Sequence, residues 1–335
     1  MAMWRMLGAP VLLSACFAPP SRAIEQEAPP AKLLLRAADH VLVWSQSEDV
    51  GERLFESLGF KVRKGQEYPE GIGSSTIMFE DWSYVELLRF TYPGRAAGSP
   101  QALSELEFVR QAPGANSFAI QVSNVEEAAA FLKGKGFSVA DIVPDMVDPD
   151  GPTGPEPPKL ASWRDFHFSA PTVSGAEIFF IEYPSDPLSV DGTVPPPSSR
   201  TAHRNSARRL SAIWVLVNDL DKEAEIYRRI GFSVGAAREL DLLNARIRVA
   251  RIGDGAVILV QSHRLPDEFS YPRRPGPRVI GLSFEVTSLD SAKAAEGDLA
   301  GVERLDYRGP FGPSRLSQLT QSAGLFVEFH ERQAK

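Results

Sequence analysis

The sequence predicts an α+β protein in which a strand–helix–strand–strand–strand (βαβββ) module occurs four times, paired into two tandem domains. Three observations predict it. A Gly-Phe pair follows a strand and a helix at Gly59-Phe60, and it returns in the same setting at Gly136-Phe137 and Gly231-Phe232; self-similarity at this spacing marks repeated structural units. The Pro-rich stretch 185–207 can neither continue a helix nor lie in a central strand, and it leaves two modules on each side. Finally, 335 residues exceed one ordinary core and suit two.

The first module opens at residues 38–45, where β-branched and aromatic residues read as a strand. Residues 48–58 follow with Val50, Leu54, Phe55 and Leu58 at helical spacing, and Gly59 stands where a left-handed cap is wanted. Phe60 begins a second strand, and residues 75–80 and 83–90 read as two more, joined by a tight turn near Asp81. The second module repeats the order with a strand at 115–123, a helix at 125–135, and last strands at 163–170 and 176–183. The third has a strand at 211–218, a helix at 220–229, and strands at 244–252 and 256–262. The fourth has a strand at 279–287, a helix at 289–296 and a final strand at 324–331, with a middle that the pattern does not place.

Composition is that of a globular protein, 43% hydrophobic and 24% charged. A net charge of −7, with only short basic clusters at Arg208-Arg209 and Arg273-Arg274, argues against nucleic acid as a partner. The one cysteine, Cys16, lies near the N-terminus, so no intramolecular disulfide, Cys-based zinc site or cysteine nucleophile is expected in the body of the chain. No apolar run is long enough for a transmembrane span. Residues 1–23 have the layout of an export leader: Arg5, an apolar stretch from Met6 to Ala15, then small residues. Cleavage after Ser21-Arg22-Ala23 gives a secreted or periplasmic protein; Leu13-Ser14-Ala15-Cys16 resembles a lipobox and would give a lipid anchor at Cys16. Residues 24–36 then read as a spacer, 37–184 as the first domain and 208–335 as the second.

Asp39-His40-Val41, the helix ending in Leu58-Gly59-Phe60, the glycine-rich Gly71-Ile72-Gly73-Ser74, and Tyr84-Val85-Glu86-Leu87-Leu88 together resemble a glyoxalase-like domain of the vicinal oxygen chelate superfamily. The resemblance covers nearly all of the chain after Ala37. It implies that each pair of modules forms a cupped sheet around one metal ion, with ligands from the first and last strand of each module. Transferred residue by residue, the first-half positions hold His40 and Glu86, then Ser117 and Glu182. The second-half positions hold Ala212 and, within a residue, Leu259, then Gly281 and Glu328, a degenerate site. Where relatives often carry His-Pro in the loop before the third strand, this chain has Tyr68-Pro69.

Strand alternation puts His40 on a face with Leu42 and Trp44, Glu86 with Tyr84 and Leu88, and Glu182 with Ile178 and Phe180. One histidine and two carboxylates converging on an apolar face need a cation, and the resemblance implies a single divalent ion: zinc, nickel, manganese, iron or magnesium. His40, Glu86 and Glu182 are the expected metal ligands, with Glu86 or Glu182 leaving the metal to act as catalytic base. Ser74 in the glycine-rich loop, Ser117 and His167 are expected to bind the substrate. Glu328 and His330 share a face near the C-terminus and are expected to be exposed. The implied function is a metal-dependent lyase or isomerase acting on a small oxygen-bearing molecule; the alternative is a non-catalytic protein that sequesters a small ligand. With both pairs of modules on one chain, a monomer is expected.

Overall fold

The computed structural model describes residues 34–147, 159–183, 196–270, 274–297 and 302–331. The expected leader, its Cys16, most of the spacer and residues 185–195 of the Pro-rich linker lie outside the described residues. None of the described helices is long and apolar enough to cross a membrane.

The first module comprises β1 (Leu35–Trp44), α1 (Glu48–Ser57), β2 (Arg63–Tyr68), β3 (Ile72–Met78) and β4 (Tyr84–Phe90). The second comprises β5 (Gly114–Val122), α3 (Val125–Gly134), β6 (Val143–Val147), β7 (Lys159–His167) and β8 (Glu177–Glu182). Between them, a short 3-10 turn and the helix α2 (Pro100–Gln111) occupy residues the sequence pattern had not assigned. Pro100 at the first helical position and the Ser99 side chain accepting from Ala102 N start α2.

These strands form one sheet in the order β2-β3-β4-β1-β5-β8-β7-β6. Within each module the first and last strands pair in parallel, β1 with β4 and β5 with β8. The modules join through the antiparallel pair β1–β5, so one module repeats the other across that seam. The sheet curls until its edge strands β2 and β6 approach each other, which makes the inner face a cup.

The second half repeats this plan. A short helix α4 (Ser198–Thr201) precedes β9 (Ala207–Leu216), α5 (Leu220–Ile230), β10 (Ser233–Val234), β11 (Arg238–Leu240), β12 (Ala245–Ile252) and β13 (Gly255–Ser262). Then come β14 (Arg278–Val286), α6 (Leu289–Ala295), β15 (Arg304–Gly309), β16 (Gly312–Leu319), α7 (Thr320–Ala323) and β17 (Leu325–Glu331). The middle strands of the fourth module are thus β15 and β16. The sheet order is β10-β12-β13-β9-β14-β17-β16-β15, with β11 alongside β12.

The Gly-Phe marker is a helix stop. Gly59, Gly136 and Gly231 have φ of 83, 81 and 127°, a region that L side chains avoid. The phenylalanine after each glycine donates its N–H back to the helix, Phe60 to Phe55 O, Phe137 to Leu132 O and Phe232 to Tyr227 O. This is the bond of a Schellman cap, and the Phe55–Phe60 and Tyr227–Phe232 ring contacts at 5.8 and 5.0 Å supply its apolar partner.

The outer faces of the two sheets, with their helices, share one hydrophobic core. Phe60 of the first half packs on Phe284 and Phe329 of the second, with centroids 4.8 and 5.6 Å apart. Glu80 N donates to Arg208 O at 2.9 Å, and Leu210 N to Ser83 Oγ at 3.1 Å. The end of the expected linker is ordered against the first half: Arg204 N and Asn205 N donate to Gly59 O, and the ring of His203 is held between Lys61 N and Met78 O. The cups therefore face away from this shared core.

Candidate functional site

The two cups differ. The inner face of the second carries Ala212, Trp214, Ile258, Val260 and Phe326, and it is filled by Leu240, Leu243, Leu265 and Phe269 into a core of its own. The inner face of the first surrounds a cavity of about 1100 Å³. Strand register explains the difference. His40 pairs with Tyr84 and Leu42 with Glu86 in the first module, whereas Ala212 pairs with Ala256 and Trp214 with Ile258 in the third. Polar residues line the one cup and apolar residues close the other. The last-strand counterpart of Glu86 is thus Ile258, one residue before Leu259. Glu328 and His330, expected to be exposed, are buried at 0% and 3%. Glu328 accepts from Ser283 and Tyr307, and His330 Nε2 meets Ser211 Oγ at 2.7 Å. Burial raises the Glu328 carboxyl above its usual range, against hydrogen bonds that lower it, and holds His330 down at about 4, so the imidazole is a neutral group of a packed interior.

In the first cup the register of β1 against β5 shifts between Ala38 and Val41, where β1 carries an extra residue. Such a bulge re-aims side chains, and Asp39 and His40, though adjacent, both line the cavity. Asp39 Oδ1 lies 2.5 Å from His40 Nδ1 and also accepts from Tyr183 OH at 2.9 Å. A carboxylate that accepts both bonds fixes the proton on Nδ1 and leaves the Nε2 lone pair toward the cavity. Tyr84 stacks on the imidazole at 4.2 Å and Phe179 meets its edge at 5.2 Å. Glu86 Oε2 is 3.9 Å from His40 Nε2, and Glu86 Oε1 accepts from Tyr68 OH at 3.0 Å. Burial, then the neighbouring acidic and phenolic groups, pushes the Tyr84 and Tyr183 phenols well above their ordinary range, so both are neutral. This arrangement can accept or return a proton at His40 Nε2 and bind polar groups of a guest.

His40 and Glu86 come together as the sequence suggests; Glu182 does not join them, which corrects that expectation. Glu177, Phe179 and Ile181 of β8, and Tyr183 just after it, line the cavity, while Ile178 and Phe180 enter the shared core. Glu182, on the face of Ile178 and Phe180, accepts from Val125 N at 3.0 Å and Arg164 Nη2 at 2.8 Å. It caps the start of α3. Alternation had grouped these residues correctly, but a period of two does not say which face is inner.

Ser74, Ser117 and His167 all line the cavity. Ser74 Oγ accepts from Gln66 N at 2.8 Å, and Ser117 Oγ donates to Asn116 Oδ1 at 3.1 Å. Sequence reasoning missed Asp39, Tyr68, Tyr183 and the whole of α2. From α2, Glu105 reaches the cavity, and its carboxyl is pushed up to about 7, by burial first and then, against a hydrogen bond from Gln101, by Glu177, Glu70 and Glu86. Tyr183, the last residue of the expected strand 176–183, stands one residue past β8 and was not singled out.

The residues present do not fit the expected metal centre. A resident catalytic zinc takes three protein ligands, and two are offered, His40 and Glu86. The equivalent pair in the second module is Ser117 and, by the β5–β8 register, Phe179, which has no donor atom. Among the described residues no three of His, Cys, Asp or Glu are grouped closely enough to hold an ion.

A family model described as a glyoxalase-like domain matches residues 38–231. No curated protein sequence matches. Among solved structures, the chain resembles a mutant 4-hydroxymandelate synthase from Streptomyces coelicolor with a TM-score of 0.58 and 15% identity, over 90% of this chain and 94% of that one. It also resembles a hypothetical protein from Staphylococcus aureus, with a TM-score of 0.56 and 10% identity, over 88% and 98%. A fusion of a xylose isomerase-like barrel with 4-hydroxyphenylpyruvate dioxygenase gives 0.52 and 15%, over 90% of this chain and 50% of that one. At these identities the likeness is one of fold.

Proposed function

From the premise that this chain belongs to the glyoxalase-like domain family, with the fold of the vicinal oxygen chelate superfamily, we propose that its first half binds a small polar organic molecule without a resident divalent ion. The observation that supports this reading is the contrast between the cups: one is filled by leucines and aromatics, and the other keeps a cavity of about 1100 Å³ lined by polar groups. A cavity of that size, with a few convergent polar groups on apolar walls, is the usual form of a small-molecule site. Nε2 of His40 and the carboxylate of Glu86 form its polar end, while Leu42, Leu88 and Phe179 supply apolar wall. A guest with an acidic proton would find a base in His40, held in place by Asp39.

Thermal-shift screening of the full chain against small organic molecules tests the reading. Hits are expected to disappear in Thr76→Trp, which places an indole in the first cup, and to persist in Val260→Ile, which changes only the packed second cup. Hits insensitive to Thr76→Trp would place binding elsewhere.

A second reading keeps the divalent ion, on His40 and Glu86 alone, with the guest's own oxygens completing its shell. What favours it is the Asp39–His40 bond, since metal-bound histidines commonly donate their other ring N–H to a carboxylate. One equivalent of metal by elemental analysis, lost in His40→Ala, would select this reading over the first.

A further inference from the structure

The polar groups of the first cup are unevenly signed. Glu86 on β4, Glu177 on β8, Glu105 on α2 and Glu70 between β2 and β3 all line it. No lysine or arginine among the described residues is ion-paired with any of the four. The cavity's cationic side chains, Arg63, Lys64 and Arg200, are all exposed, and Arg63 is already committed to Ser199 O.

Glu86 carries the argument. The residue is only 7% exposed. Tyr68 satisfies its Oε1, but no hydrogen bond among the described residues reaches Oε2, and His40 Nε2 stands 3.9 Å away, beyond bonding distance. That oxygen faces the cavity rather than packed protein, and an N–H bearing positive charge is the partner a carboxylate bonds most strongly. The four carboxylates are too dispersed to converge on a metal ion. They suit a larger cation, whose charge also lies well against aromatic rings such as Tyr68 and Tyr84.

Resting on the reading that the first cup binds an organic molecule, we propose that this molecule is an amine, protonated when bound, whose ammonium group donates to Glu86 Oε2 in the field of Glu105 and Glu177. Its carbon body lies along the apolar and aromatic wall.

Matched probes test this: 2-phenylethylammonium, 2-phenylethanol and 3-phenylpropanoate, followed by other ring systems offered as the same three derivatives, all titrated by calorimetry into the full chain. The ammonium member is expected to bind about tenfold more tightly than the alcohol, the scale of one charge-assisted bond. Glu86→Gln should abolish that ratio. Titrated at about pH 8.5, where Glu105 is ionised, Glu105→Gln, a partly exposed position that cannot upset folding in the same way, should shrink it about threefold. A carboxylate probe that binds as tightly as the ammonium, or a ratio that survives Glu86→Gln in folded protein, overturns the proposal. If the alcohol or carboxylate is favoured and Thr76→Trp blocks it, the cup remains a binding site and only the cationic class is lost. Failure of every series to bind removes both readings.

Discussion

At the scale of single residues, two expectations separate position from role. His40 and Glu86 were legible because strand alternation and family resemblance pointed to the same face. Glu182 was equally visible but belongs to a helix start, bonded to Val125 N and Arg164. Glu182→Ala should therefore cost about 1 kcal/mol of stability, the scale of a lost cap, and leave guest binding intact; chemical denaturation and a binding titration check both halves of the statement. A second prediction concerns pH. His203 takes Lys61 N–H at Nδ1 and gives its own proton to Met78 O, a pattern only the neutral ring can make. Burial lowers its pKa from 6.5 to about 4. The unfolded chain then binds the extra proton first, so the contribution is complete above pH 6.5 and is lost as pH falls toward 4, on the order of 3 kcal/mol. Glu105, held protonated toward 7, pulls the opposite way over an overlapping range, so the sign is read by comparison. Relative to His203→Gln, the native protein should lose its advantage on going from pH 7 to pH 4 in urea titrations; an advantage that grows instead would contradict the neutral ring.

At the scale of elements, the repeated Gly-Phe pair was the most readable feature because a left-handed cap demands glycine and its apolar contact demands a large residue. Its energetics differ from copy to copy. Gly59 and Gly136 share φ near 80°, but a Cβ on Gly59 would lie 2.6 Å from Ala295 Cβ and 3.0 Å from Asn205 N, whereas on Gly136 it would meet only the Arg229 guanidinium at 3.5 Å. Gly136→Ala should cost about 1 kcal/mol, the conformational penalty alone, and Gly59→Ala at least about twice that; equal melting temperatures for the two variants would contradict the docking of the second half on Gly59. The helix α2 escaped notice for a physical reason. Of its residues only Ala102, Leu106 and Val109 are buried, while Leu103 is 47% exposed, so its apolar pattern is weak. The bulge that turns Asp39 toward His40 leaves no mark in local sequence, because it is set by register against β5.

At the scale of the whole molecule, the four modules were legible and their shared core was not. Repeats show how many units exist; which outer faces meet depends on side chains such as Phe60, Phe284 and Phe329, far apart in sequence. Because one apolar cluster crosses both halves, calorimetry of the full chain should give a single cooperative transition, and residues 37–184 expressed alone should be insoluble or lack a cooperative transition. Two separate transitions would indicate independent domains. The same asymmetry carries the functional account: the second half has filled its cup and lends its outer face to the first, whose cup stays available.

Native mass spectrometry of the intact protein, isolated gently from cells that make it, reads guest and ion together. The account predicts chains carrying a small organic adduct, or none, with no stoichiometric metal, and the adduct lost in Thr76→Trp. A population in which every chain carries one divalent ion that departs only with His40→Ala would contradict it.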